Sequence, residues 1–399
     1  MSLYDDATLI LTPNEVSAGS IQSLKPVDGS GDLTVSRNSY ANRINSSGLL
    51  EYMSNNIARL DYSNGGCPSI LVEPQRTNLS VYSEKLIIGF AFSYTGGVFT
   101  VDENTTDTLD PFGNNNADKF TTTSNFNDSY TTSAGSGSLT LSIFAKKGTN
   151  DTIQLYHQNV NTGNLFATTF NLNTGTIVGS AGTVTPKIEQ FANGWYRCSI
   201  SGADTLAIGN IFRVSTYTGT SYLFGWQLES GSYATSYIPT TSSIVTRVVD
   251  SIYKSDIYNL VGVNQGTLFA EYKASNEGVV AKTISLYNTN SPNQIVYLNI
   301  SQTAGRIQGT LWNGSTSYTS FINSVIQTDM NKIALIWGGG TMQLFVNNIA
   351  GNIVSTTGTF DGFNRIGLNY FNGLFPSTGF INSLMVFNRP LTTSEIAQL

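Results

Sequence analysis

The chain has 399 residues, of which 40% are apolar and only 12% charged, with 26 acidic against 20 basic side chains and a net charge of −6. No cluster of Lys or Arg offers the phosphate-tracking surface that nucleic-acid binding requires, and no apolar run reaches the roughly 18 residues of a membrane-spanning helix. The length predicts two or three domains, and Gly, Ser, Thr, Asn, Tyr and Phe in place of Glu/Lys helical faces predict strands and turns.

The N-terminal residues, Met1-Ser-Leu-Tyr-Asp-Asp6, show neither the basic nor the apolar region of a signal peptide. Residues 1–79 read as short, turn-punctuated pieces: a strand at Ala7–Thr12 ended by Pro13, a turn cluster at Asp28–Asp32, and the words Arg37–Glu51, Ala58–Cys67 and Ile70–Leu79. They are too irregular for a core of their own, so the expectation is an extended arm packed on something else.

Residues 80–249 alternate clearly. Strands are expected at Ser138–Lys146, Thr152–Tyr156, Phe166–Leu172, Thr176–Val178, Trp195–Ile200, Phe212–Thr216 and Tyr222–Leu228, with a hairpin turn at Asn173–Gly175. In the last strand Tyr222, Phe224, Trp226 and Leu228 are expected on one face, after which Ser230-Gly231 breaks the pattern and Pro239 forbids a central strand. The number and spacing of these strands suit a sandwich or jelly roll.

Residues 250–265 read as a connector, and 266–399 as a second sandwich. Its strands are expected at Gly266–Tyr272, Ile284–Tyr287, Ile295–Ile300, Arg306–Trp312, Lys332–Trp337, Met342–Val346, Asn364–Leu368 and Gly379–Phe387. Gly338-Gly-Gly340 makes a hairpin turn, and Thr393-Ser394-Glu395 offers a helix start with an N-cap oxygen. The fold class is therefore all-β: two tandem β-sandwich (jelly-roll) domains preceded by an extended N-terminal arm, with boundaries 1–79, 80–249, 250–265 and 266–399.

Three sets of words carry resemblances. Arg37…Ala41-Asn-Arg43-Ile-Asn45…Gly48-Leu…Glu51 and Pro68-Ser…Leu71…Glu73-Pro-Gln-Arg-Thr-Asn-Leu79 resemble the N-terminal part of tailed-phage virion proteins, especially head- and tail-fibre-like proteins of phages infecting Bacteroidetes. Tyr40 and Asn42 depart from that pattern, where small Ser/Thr residues are expected. Ala117–Phe120, Leu141–Lys146, Gly194–Cys198 and Trp226–Pro239 look like the carbohydrate-binding-module-like jelly roll of phage structural proteins. Gly379–Ile396, with the glycine hairpin before it, resembles laminin-G or concanavalin A-like sandwiches.

Catalytic chemistry finds little support in the residues. His157 is the one histidine and no Gly-x-Ser-x-Gly elbow accompanies it; it reads as an ordinary strand-end residue. Cys67 and Cys198 are expected as two separate reduced thiols. Of the acids after residue 266, none of Glu271, Glu277, Asp329, Asp361 and Glu395 is spaced two apart on a strand, and the Glu-x-Asp-x-x-Glu signature of glucanases with this fold is missing. The run Asp102–Asp110 lacks EF-hand alternation and reads as a solvated loop. No catalytic residue, cofactor or metal is expected.

Among the aromatics, Tyr156, Trp195, Tyr196 and Trp226 are candidates for sugar stacking, but alternation places Trp226 and Trp337 in cores. Trp312 with Asn313, and Tyr370 with Phe371, lie at turns and are the expected ligand-contacting residues. The resemblance implies a non-enzymatic virion structural protein, a head or tail fibre or appendage. It would be anchored by contacts of residues 1–79 with other virion proteins and would display its sandwiches to host or mucosal glycans. Assembly in the host bacterial cytoplasm and a homotrimer are further implications, although no heptad run specifies a trimer. The residues leave open a second reading, a free glycan-binding lectin or accessory module of a carbohydrate-active enzyme. Neither reading includes nucleic acid or membrane insertion.

Overall fold

The computed structural model describes residues 2–13, 15–86, 99–123, 126–132, 137–159, 161–163, 165–204, 210–275, 281–290, 294–300, 305–368 and 379–399. It is all-β, built of antiparallel sheets with short helices at Leu3–Asp6 and Thr393–Ile396. The chain divides into two compact units. A central unit holds Ala41–Tyr52 and Arg76–Arg247, and a terminal unit holds Met1–Tyr40, Met53–Gln75 and Val248–Leu399.

The central unit is a sandwich. One sheet orders its strands Phe99–Asp102, Asp118–Thr122, Gly219–Ser230, Gly137–Lys147, Trp195–Asp204 and Thr185–Gln190; the other runs Phe126–Thr132, Asn210–Thr216, Thr152–Asn159, Leu165–Asn171 and Thr176–Ala181. Between them lie Leu139, Leu141, Ile143, Ile153, Leu155, Phe170, Cys198, Ile200, Val214, Leu223 and Trp226. Alternate burial holds along Thr152–Asn159 and Asp118–Thr122, whereas Gly137–Lys147 and Gly219–Ser230 bury seven consecutive residues each.

Gly219–Ser230 departs from the single-face expectation. Gly225 has a φ of 66°, and the register against Gly137–Lys147 slips between Ser142 and Phe144. This bulge turns the strand over. Leu223 joins Trp226 and Leu228 in the inter-sheet core, while Phe224, with Tyr222 beside it, packs with Phe144, Trp195 and Tyr237 in a separate cluster.

Beyond the bulge, the segment after Ser230 leaves the sheet but is held by buried side chains. Gln227 accepts from the Ile238 N–H at 2.7 Å, and Glu229 accepts from the N–H and hydroxyl of Thr235 at 2.8 and 2.7 Å. Asn78 donates to the Ile238 carbonyl at 2.8 Å and accepts from the Leu228 N–H at 3.1 Å. The most specific word of the jelly-roll resemblance is thus a structural lock, with its polar groups turned inward.

The terminal unit is also a sandwich, and residues 1–79, expected as one extended arm packed on something else, are divided between the two units as strands of their sheets. Leu9–Leu11 and Ser69–Val72 both pair with Gly379–Phe387, and Arg59–Asp61 extends the sheet through Ser69–Val72. Gly266–Ala274, Asn331–Gly338 and Thr341–Val346 complete that sheet's main path, which ends at Ile349–Ala350. The physical reason is burial: Leu9, Leu11, Leu60, Ile70 and Val72 cannot make a core by themselves but fill the core of this sandwich. The words at 41–52 and 76–79 go to the central unit.

The second sheet runs Val16–Ser17, Ser20–Ile21, Leu33–Ser36, Ser251–Ser255, Arg365–Gly367, Ala281–Tyr287, Ile295–Ile300, Ile307–Trp312 and Ser317–Ile322. Part of the expected connector 250–265 is therefore an internal strand, Ser251–Ser255, paired on both sides. Thr392, one residue before the expected helix start, caps Thr393–Ile396 together with Glu395, and Arg389 bridges Glu395 and Asp6 at 2.7 Å each.

Candidate functional site

The second sheet of the terminal unit positions the site. Along each of its strands aliphatic residues face the core, so the residues between them face away. Cross-strand register lines up Ser255, Arg365, Tyr287, Ile295, Trp312 and Ser317 in one row. Two residues further along the strands, the next row on the same face is Tyr253, Gly367, Ser285, Tyr297, Thr310 and Thr319. The intervening row, with Ile366, Leu286, Val296 and Leu311, is core.

On this face Trp312 and Tyr297, both half-buried, pack against Tyr287 and Ile295. Tyr287, Ile295, Ser285 and Thr310 are themselves buried, so the partly exposed aromatic and cationic groups are Tyr253, Tyr297, Trp312 and Arg365. The Arg365 guanidinium lies over the Tyr253 ring at 4.4 Å and donates to the Ser255 hydroxyl at 3.1 Å. Burial pushes the Tyr287 and Tyr297 phenols up from the ordinary tyrosine value, with Arg365 and Thr310 as their respective hydrogen-bond partners. Both phenols therefore stay protonated and can donate. Tyr253 and Tyr297 are three strand spacings apart, about 14 Å, and the small side chains of Gly367 and Ser285 lie between them. The result is an aromatic-walled strip with hydroxyl and guanidinium donors at its edges.

Trp312 thus belongs to this strip. Asn313 serves the turn: its carbonyl accepts from Ser315 and Thr316 N–H at 3.1 and 2.9 Å, and its amide donates to the Thr357 carbonyl at 3.0 Å. Tyr370 and Phe371 lie outside the described residues. Tyr253, Tyr287, Tyr297 and Arg365 were missed, although a signal existed. Each sits between or beside aliphatic residues (Ile252, Leu286, Val296 and Leu298, Ile366) and so occupies the opposite phase of the alternation.

The other candidates are structural. His157 is buried within its strand and stacks on Phe212 and Phe166 at 4.4 and 5.2 Å, so it is a core residue rather than a strand-end one. Trp195 is buried and donates to the Leu109 carbonyl at 2.8 Å; Trp226 and Trp337 are also core. Cys67 is exposed and Cys198 buried, and both are free thiols. In the acidic run, Asp110 is not solvated but buried, accepting from Phe112 and Asn114 N–H at 2.7 and 3.0 Å. Among the described residues no His, Cys, Asp and Glu side chains converge as a metal site. A cleft of about 430 Å³ between Asn64, Lys273, Asp329 and Asn382 is polar, with Lys273 donating to Asn64 at 2.8 Å.

No protein-family model matches the sequence, and no curated protein matches it. Among solved structures, the chain is similar to the CBM40 of Ruminococcus gnavus IT-sialidase bound to α2,3-sialyllactose, with 22% identity and a TM-score of 0.31 over 34% of this chain and 83% of that one. It is similar to domain 4 of AbnA, a GH43 extracellular arabinanase from Geobacillus stearothermophilus in complex with arabinotriose, with 16% identity and a TM-score of 0.31 over 42% of this chain and 82% of that one. A third is the leech intramolecular trans-sialidase, with 20% identity and a TM-score of 0.30 over 34% of this chain and 23% of that one.

Proposed function

We propose that this chain is a non-enzymatic saccharide-binding protein and that the outward strip of the terminal unit is its ligand face. The observation that carries the reading is the set Tyr253, Tyr297 and Trp312, partly exposed beside Arg365 on one sheet face and backed by the buried Tyr287. The C–H faces of a sugar ring stack on aromatic rings, and its hydroxyls need donors and acceptors at the rim; this strip offers both over the length of an oligosaccharide. Of the acids of the same unit, Glu271 faces Lys332 at 3.9 Å and Glu395 is held by Arg389 at 2.7 Å.

The test is a glycan array with the full chain, followed by titration of the best ligand against Trp312→Ala and Tyr253→Ala. Each substitution is expected to weaken binding roughly tenfold, or about 1.4 kcal/mol, with the fold retained by circular dichroism. An array without signal, or variants that bind as the parent does, would refute the reading.

A narrower version places the protein on a phage particle as a homotrimeric head or tail appendage, and it rests on the words within 37–51 and 68–79. Any anchor would then have to be a surface of a folded unit, because residues 1–40 and 53–75 are part of the terminal unit. Mass spectrometry of purified particles tests it, and absence of the chain from them defeats it.

A further inference from the structure

The central unit carries a feature that the saccharide reading of the terminal unit does not use. Arg213 stands on Asn210–Thr216, in the face of the five-stranded sheet opposite to Phe212 and Val214, which are core. Its guanidinium lies over the Tyr156 ring at 5.1 Å, and its buried Nε has no hydrogen-bond partner. Other half-buried or buried arginines in the chain are held by oxygen atoms: Arg37 and Arg59 by Asp250, Arg43 by Glu51, Arg197 by the Thr235 carbonyl, Arg306 by Asn323 and Arg389 by Glu395. Among the described residues, Arg213 has neither an ion pair nor a hydrogen bond.

Its surroundings are arranged around it. Register places Arg213, Tyr156, Ala167 and Ala181 in one row across four strands, and Ser215, Gln154, Thr169 and Gly179 in the next on the same face. Small side chains therefore form the floor beside a single cation and a single ring. Tyr156 donates its hydroxyl to the Gln158 carbonyl oxygen at 2.9 Å, and Gln154 donates to the Thr169 hydroxyl at 3.1 Å. These two bonds fix both amides and leave the Gln158 N–H groups and the Gln154 carbonyl oxygen for a ligand.

A guanidinium presents paired N–H donors in a planar fork that matches a carboxylate in bidentate fashion. Stacking on Tyr156 orients that fork and leaves its donor edge unused. Among the described residues no carboxylate neutralises this cation. We infer that the Arg213–Tyr156 face of the central unit binds a carboxylate-bearing sugar. The acid would sit on the Arg213 fork, with the hydroxyls on Gln154 and Gln158. This site is separate from the Trp312 strip and does not depend on it.

Calorimetric titration of the full chain tests the assignment. The probes are short oligosaccharides ending in glucuronic or galacturonic acid, with the matching glucose- or galactose-terminated sugars as neutral references. The acidic probes are expected to bind at least about tenfold more tightly than the neutral ones, and added salt is expected to narrow the gap. Arg213→Gln removes that preference with the fold retained by circular dichroism, at only the small cost in melting temperature of losing the contact with Tyr156. Tyr156→Ala weakens the acidic probes by a similar factor. Trp312→Ala leaves acidic-sugar binding in place, which separates this site from the terminal one. Acidic and neutral sugars binding alike, no binding of any acidic probe, or a preference that survives Arg213→Gln would each overturn the inference.

Discussion

Arg59 and Asp250 lie 191 residues apart in sequence, yet their side chains form an ion pair sealed from solvent. Asp250 also takes Arg37 at 2.9 Å, and Arg59 takes Glu73 at 2.7 Å, so two guanidinium groups and two carboxylates close a buried tetrad. The chain passes between its two units four times, near residues 40, 52, 75 and 247, and each tetrad member lies within a few residues of a different passage. Burial alone would push Arg59 down; the Asp250 and Glu73 carboxylates reverse this and raise it. The tetrad therefore fixes four chain segments of the terminal unit at one point.

Removing one member should be costly, because the partners left behind stay buried and charged. Arg59→Ala is expected to lower stability by about 3–5 kcal/mol, read from the denaturant midpoint. Arg37→Ala combined with it should fall short of the sum of the single effects, since both act on Asp250. Additive losses would mean that the four side chains do not act as one network.

A fragment limited to 266–399 should not fold. It lacks Leu9–Leu11, Arg59–Asp61 and Ser69–Val72 from one sheet, Leu33–Ser36 and Ser251–Ser255 from the other, and the whole tetrad. Deleting those strands exposes Gly379–Phe387 as an unprotected edge. We expect an insoluble or poorly dispersed fragment by proton–nitrogen NMR, while the full chain gives a dispersed spectrum; a well-dispersed fragment spectrum would contradict the strand assignment.

The boundary at 266 is what local pattern suggests, and the reason it fails shows what pattern can carry. Thr152–Tyr156 is legible because alternate burial acts within a few residues. The pairing of Leu9 with Val386 is not, because any apolar triplet could take that edge and only the finished sandwich selects it. The same limit hid the ligand face. Trp312 stood out beside a turn, but Tyr253, Tyr287 and Tyr297 become one surface only when three separate strands are placed in register. Arg213 was silent in sequence, since that an arginine has no partner among the described residues is recognised only once the strands around it are placed.

Gly225 is a position where a side chain has no room. Its φ of 66° is disfavoured for other residues, and an added Cβ would meet Phe144 at 3.1 Å and Tyr237 at 3.2 Å. Gly225→Ala is expected to lose about 1–3 kcal/mol. Gly65→Ala, with a φ of 73° and open space around it, should lose less because only the backbone term applies. Equal losses would show that packing against the Phe144–Tyr237 cluster contributes nothing.

Asp118 gives a pH signature of unusual sign. Burial raises its carboxyl from the ordinary aspartate value of 3.8 to about 6, with Glu103 and Asp102 adding to the rise and the N–H groups of Asn104 and Leu86 opposing it. Among the described residues one carboxylate oxygen, Oδ2, has no hydrogen-bond partner. Because the folded value lies above the unfolded one, the native state binds the extra proton between these values, and stability falls as pH rises through that window. Above about pH 6 the ionised, buried carboxylate works against the fold by up to about 3 kcal/mol, the free energy linked to that rise. Asp118→Asn keeps an oxygen for the Asn104 N–H and removes the charge. It should therefore melt higher than the parent at pH 7.5, and the advantage should vanish at pH 4, where Asp118 is already neutral in the folded chain. A melting-temperature difference that stays constant between these two pH values would show that Asp118 does not titrate as the buried geometry requires.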